Sequence, residues 1–201
     1  MPKAPLFKPT TDATDNSTTM HKATAILRIL AATWFFIVAM APSAMAQVNK
    51  EALIKAAYLL NFARFTTWPE DAFASPDAPI MLCIAGTSPI TDALPSIAKK
   101  RVQNRALQFK QLAPGEKVPE ACHMLLVGDA PGQSMAALTQ SIASRPILTV
   151  STEKGFSMSG GMITLIKVKN KIRFQINLAT TEKAGLTMSS RLLKLAIVVG
   201  P

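Results

Sequence analysis

The sequence predicts an α/β fold: a layered sandwich with a mostly parallel central sheet, a C-terminal antiparallel hairpin and a terminal helix. Two observations lead there. Short apolar runs at residues 80–85, 122–127 and 147–150 alternate with stretches of helical character, the order expected of parallel strands joined by crossovers. Near the end, two β-rich runs at residues 162–168 and 171–178 flank Lys169-Asn170, a two-residue connection in which Asn tolerates positive φ.

The elements follow in order. Asn49 is a good N-cap, and from Lys50 the residues Ile54, Ala57, Tyr58, Asn61, Phe62 and Phe65 recur at three- and four-residue spacing. This is an amphipathic helix that ends before Trp68-Pro69, and its aromatic stripe reads as core. A Pro- and Asp-bearing loop over 70–79 leads into strand 80–85, with Gly86 just past its end. Thr87-Ser88-Pro89 then introduces a short helix over 90–98, flawed by Pro95. Residues 99–105 hold four basic side chains, read as a solvated loop because no aromatics flank them for stacking on nucleic acid. In the strand at 106–112, Leu107, Phe109 and Gln111 alternate with Gln108 and Lys110. After a turn-rich break at 114–119 come strand 122–127 ending at Gly128-Asp129, a helix over 134–143, and strand 147–150 behind Arg145-Pro146. Ser189 caps a last helix over 190–199, whose Leu192, Leu193, Leu195, Ala196 and Val199 make it apolar over most of its circumference.

The amino terminus reads as a processing signal. Residues 1–19 are polar and aperiodic and are treated as an upstream extension. From Met20 the chain carries Lys22 and Arg28, then a nearly pure apolar run at 29–41, then Ala44-Met45-Ala46, the small-x-small pattern of a signal-peptidase site. Cleavage is expected between Ala46 and Gln47. The apolar run is too short for a membrane anchor, which takes about 20 residues. Residues 47–201 remain, enough for one domain of middling size.

Of the 201 residues 49% are hydrophobic, which excludes a disordered chain. With two His and two Cys, a multi-ligand zinc site, an iron-sulfur cluster or a haem-attachment motif cannot be built. Residues 47–201 hold 18 Lys+Arg and 10 Asp+Glu, a net of +8. An exported basic domain meets anionic lipid, polysaccharide or an acidic protein face before nucleic acid. Export also places Cys83 and Cys122 where thiols oxidise. A disulfide between them closes a loop of about 40 residues, worth roughly 4 kcal/mol at most. Two buried free thiols are the plain alternative. A Cys83–His123 dyad is the reactive one, since Cys122 and His123 point to opposite faces of a strand.

Other chemistry is scarce. The turn at Gly86-Thr87-Ser88 offers backbone amides to an anion, but one glycine is not a phosphate loop. Gly160-Gly161 reads as a conformational hinge. Asp92, Asp129, Glu153 and Glu182 lie in separate turns and form no acid/base couple, and no G-x-S-x-G elbow occurs. From the residues alone this is an exported α/β domain with no catalytic group and no cofactor.

Several phrases, taken in order, resemble the YfiR family of exported bacterial proteins. They are Ala57-Tyr58-Leu59-Leu60-Asn61-Phe62 continuing to Phe65-Thr66-Thr67-Trp68-Pro69, then Leu82-Cys83-Ile84 with Gly86, and Cys122-His123 before an apolar strand. Ile147-Leu148-Thr149-Val150, Gly155-Phe156, Gly160-Gly161-Met162-Ile163, Arg173-Phe174-Gln175-Ile176-Asn177-Leu178 and Ser189-Ser190-Arg191-Leu192-Leu193-Lys194-Leu195-Ala196 complete them. The resemblance implies a dimeric periplasmic repressor that binds the periplasmic sensor region of an inner-membrane diguanylate cyclase and lowers cyclic di-GMP and biofilm formation. An outer-membrane lipoprotein sequesters such repressors. Cys83 and Cys122 match one cysteine pair of the family, whose disulfides are linked to stability and redox sensing. A second pair of some members falls near Ser157 and Thr164 here, so the resemblance does not carry redox control through that pair over to this chain; Gln175 stands where many relatives carry Glu, and Thr164 where many carry Asn. Arg191, Trp68 and Asn177 match the family, yet each has a structural explanation. Two other readings stay open. One is an exported solute-binding or sensory domain with a ligand at the strand ends near Gly86 and Gly128; the other is a thiol enzyme using Cys83.

Overall fold

The computed structural model describes residues 49–200 apart from Gln133. The expected signal, its cleavage point at Ala46–Gln47 and the extension before it lie outside the described residues. Among the described residues no helix is long and apolar enough to cross a membrane.

Helix α1, Lys50–Phe65, starts where the Asn49 side chain accepts a hydrogen bond from the Glu51 N–H at 2.9 Å. Glu51 in its first turn and Arg64 in its last both suit the helix dipole. Ala52, Ala56, Leu59, Phe62 and Ala63 recur at helical spacing and are buried. The helix stops at two β-branched residues that turn extended as β1, Thr66–Thr67, which pairs antiparallel with β9, Thr187–Met188.

The main sheet has eight strands in the order β10-β8-β7-β6-β5-β2-β4-β3. Strand β2, Ile80–Ala85, lies between β4, Arg105–Gln111, and β5, Met124–Val127, both parallel to it. Beyond β5 lie β6, Leu148–Ser151, and β7, Ile163–Val168, also parallel. Strand β8, Lys171–Asn177, returns antiparallel to β7. The connecting Lys169 and Asn170 have φ of 45° and 63°, the left-handed pair that a two-residue hairpin with matching twist requires.

Side-chain alternation sends residues to two cores. Ile80, Leu82, Ile84, Met124, Leu126, Leu148 and Val150 pack with α1. Cys83, Ala85, Leu125 and Val127 pack instead with Leu138 and Ile142, at α2, Met135–Ser141. Covered on both faces, β2 and β5 read as unbroken apolar runs, as parallel central strands do. The α/β class, the parallel centre and the late hairpin are all present.

Several details differ from expectation. The helix expected over 90–98 is a 3-10 turn, Thr91–Ser96, because Pro95 sits inside it without an N–H to donate. The basic run at 99–105 is not an open loop. Strand β3, Arg101–Val102, folds back antiparallel on β4, with Gln103 and Asn104 at φ of 51° and 63°. Cys122 and His123 precede their strand rather than opening it. A short helix α3, Leu178–Lys183, capped by Asn177, follows β8. The terminal helix is only α4, Ser190–Leu193, capped by Ser189. After it Ile197, Val198 and Val199 form β10, parallel to β8. Three β-branched residues beside an unfilled sheet edge pair with it more favourably than they extend a helix.

Candidate functional site

Cys83 lies mid-strand in β2, and Cys122 just ahead of β5, the neighbouring strand. A disulfide joins them with 6.0 Å between their Cα atoms, across a sequence separation of 39. Both are buried, Cys83 completely. The bridge sits in the core beneath α2, with Cys122 bordering a cleft shared with Glu120, His123 and Arg145.

His123 belongs to the opposite side. Its Nδ1 accepts from the Met81 backbone N–H at 3.1 Å, which leaves the ring proton on Nε2 to donate to the Ala72 carbonyl at 3.0 Å. The ring stacks on Phe73 with centroids 4.3 Å apart, and the Arg105 guanidinium lies 3.7 Å over the same Phe73 ring. Arg105 also donates to the carbonyls of Ser75 and Ala78 at 3.0 and 2.7 Å, and Trp68 Nε1 donates to the His123 carbonyl at 3.2 Å. Burial pushes the His123 pKa below the ordinary histidine range and the Arg105 charge adds to this, against the bond to Ala72. A histidine with both ring nitrogens engaged to backbone is a clamp for the 68–78 loop. The Cys83–His123 dyad is thereby excluded: the sulfur is bonded to Cys122 and the imidazole faces the other way. The local sequence carried no sign of this, because both partners of His123 lie some 40 to 50 positions away.

The strand ends near Gly86 and Gly128 are also closed. Thr87 and Asp129 exchange two backbone hydrogen bonds of 2.8 Å, and the Gly128 N–H donates to the Ala85 carbonyl at 2.8 Å. A methyl group on Gly128 would overlap the Thr87 carbonyl, and one on Gly86 the Asp129 carbonyl. These glycines let two loops approach each other; they do not cradle an anion. Beside this closure lies a crevice of about 770 Å³ walled by Leu112, Ala113, Pro114, Ala130 and Pro131. Next to it a shallower one of about 680 Å³ gathers the exposed carboxylates of Asp92, Asp129 and Glu153, a setting that repels anions.

Thr164 Oγ1 donates to Ser157 Oγ at 2.9 Å and accepts from the Ser157 N–H at 2.9 Å. Both residues are fully buried. Asn177 Nδ2 donates to the Ser157 carbonyl at 2.9 Å while its Oδ1 accepts from the Thr180 N–H at 3.0 Å, so Asn177 is spent on the fold. Trp68 is buried and Arg191 is exposed in α4. Among the described residues no group of three or more His, Cys, Asp or Glu is placed to hold a metal ion.

The remaining feature is a charged surface. Residues 162–200 contain seven Lys or Arg and one acidic residue, Glu182, a net of +6 out of the +8 carried by residues 47–201. On the hairpin of β7 and β8 the side chains of Lys167, Lys169, Lys171 and Arg173 are exposed. Among the described residues, Lys167 is the one of these with an ion-pair partner, Glu51 at 2.9 Å. That glutamate also bonds Lys55 at 2.8 Å, and the two ammonium groups hold its pKa down to about 2. The periodicity of the strands hid this concentration, since it appears only when charge is summed by region.

A family profile described as YfiR/HmsC-like matches residues 52–197, nearly all of the described residues. The order of strands, the buried cysteines and the quoted phrases therefore sit inside one continuous match, and the chain belongs to the YfiR/HmsC-like family.

Proposed function

We propose that this protein is an exported periplasmic regulator that binds the periplasmic sensor region of an inner-membrane diguanylate cyclase and holds it inactive. Its action lowers cyclic di-GMP and biofilm formation. The observation that carries this is membership of the YfiR/HmsC-like family over residues 52–197, a regulatory family. The interior is consistent with it: the thiols are cross-linked, the imidazole is clamped, and the net charge is gathered on one region suited to an acidic protein face. A repressor shifts its target only as far as its affinities for the active and inactive states differ, so it needs a firm surface and no bond-making group. In this reading the signal is cleaved between Ala46 and Gln47, the protein acts as a homodimer, and an outer-membrane lipoprotein withdraws it from the cyclase. Deleting the gene is expected to raise cyclic di-GMP and biofilm, and restoring it to lower both. Unchanged cyclic di-GMP in the deletion strain overturns the proposal.

The crevice of about 770 Å³ beside Gly86 supports a second reading, a sensory domain that takes a small apolar ligand. A ligand-dependent rise in melting temperature that follows RT ln(1 + [L]/Kd) would favour it.

A further inference from the structure

Strand β10 is three residues long and pairs with Gln175, Ile176 and Asn177 of β8. Among the described residues no strand lies on its other side. An open edge presents unpaired backbone N–H and C=O groups, and soluble proteins ordinarily blunt it with charge, proline or a bulge. Apart from its shortness, this edge carries none of these within residues 195–199. Residues 195–199 carry no charge, and Leu195, Ile197 and Val198 are 63%, 40% and 55% exposed. The charges around it have one sign: Arg191 and Lys194 are exposed on the turn leading in, and Lys171 and Arg173 are exposed on β8 beyond the start of β10.

We infer that β10 is a docking edge for an extended segment of a partner protein, apolar along the strand and acidic at the end that lies beside the start of β10, which adds to the sheet as a further strand. Each part of that description comes from a separate observation. The free backbone edge selects an extended chain, because only a strand satisfies its hydrogen-bonding groups. The exposed Leu195, Ile197 and Val198 select apolar side chains. Arg191, Lys194, Lys171 and Arg173 all lie toward the start of β10 and select acidic residues at that end of the segment. A second copy of this chain meets the first two conditions and fails the third, since its residues 188–201 contain no Asp or Glu to meet these cations. The identity of the partner rests on the regulatory reading above; the chemistry of the edge does not.

The test titrates the purified protein with a labelled peptide of alternating Val and Thr flanked by Asp, and with its Lys-flanked counterpart. Val198→Lys blocks strand addition while leaving an exposed position exposed, and Val198→Pro removes a backbone donor. The Asp-flanked peptide is expected to bind, each variant and the Lys flanks weakening it by about tenfold or more, about 1.4 kcal/mol. Hydrogen exchange of residues 195–199 is expected to slow in the complex. Absence of binding, or equal binding by a Val198→Lys protein of unchanged melting temperature, overturns the inference. So does protection of those amides that grows with the concentration of the free protein, which would assign the edge to a second copy. A peptide that binds at the edge without being displaced by the cyclase sensor region leaves the edge standing and removes the regulatory reading. A sensor region that binds wild type and Val198→Lys alike, with no peptide bound, does the reverse.

Discussion

At β2 and β5 the sheet is covered on both faces, cross-linked by Cys83–Cys122, and zipped at its strand ends by the Thr87–Asp129 exchange. At β8 and β10, some four strands away in the sheet order, the edge is open, the side chains of Ile197 and Val198 face water, and the cations gather. The same chain thus spends its reactive groups on rigidity in one region and leaves its recognition groups unspent in another. In the regulatory reading proposed above that division has a use: the middle holds the edge in a fixed shape, and the edge is free to meet a partner.

The comparison can be broken from the middle first. Cys83→Ala/Cys122→Ala removes the cross-link and is expected to cost about 4 kcal/mol, lowering the melting temperature by about 8–16 °C in a domain of this size. A drop within error would mean that the bridge braces nothing. Gly128→Ala forces the Thr87 carbonyl aside and is expected to cost about 1–3 kcal/mol, read from the urea midpoint.

A smaller effect comes from His123. Its folded pKa lies below the unfolded value near 6.5, so the unfolded chain takes up a proton that the folded one refuses. Stability is therefore complete above pH 6.5 and falls as pH drops through that value toward the lowered folded pKa. His123→Gln, which cannot titrate, is expected to flatten this part of the curve. Arg105 approaches the ring through Phe73, and Asp71, Glu120 and Arg145 line the cleft beside it. Stability that instead rises on acidification overturns this prediction. The smallest effect sharpens the contrast at the far end: Val198→Lys is expected to change stability by less than about 0.5 kcal/mol, checked by the same urea midpoint, even though it reverses the character of the edge.

Much of the middle was legible. The run at 80–85 is short, apolar and bounded by Pro79 and Gly86, and β2 occupies those residues. Lys169-Asn170 could hardly be anything but a hairpin turn, and α1 follows its three-and-four spacing. The edge was not legible. Leu192, Leu193, Leu195, Ala196 and Val199 fit a helix as well as any local pattern can, and what decides otherwise is β8, some twenty residues back in the chain. The site followed the same rule. Cysteines and glycines announce themselves, but the hydrogen bonds from His123 and the closeness of Gly128 to Thr87 depend on contacts that no window of sequence contains.

The ion pair between Lys167 and Glu51 spans 116 residues, and the Tyr58 hydroxyl reaches the Ile172 carbonyl across 114. Helix α1 has most of its apolar cover from the strands and the 3-10 turn that follow it directly, but its first turn and Tyr58 are fastened only when the last third of the polypeptide has arrived. Until then packing alone holds that face, and loop-closure entropy opposes each early attempt to tie it down. A fragment ending before the hairpin is therefore expected to keep the central packing of the first helix and to lose these two ties.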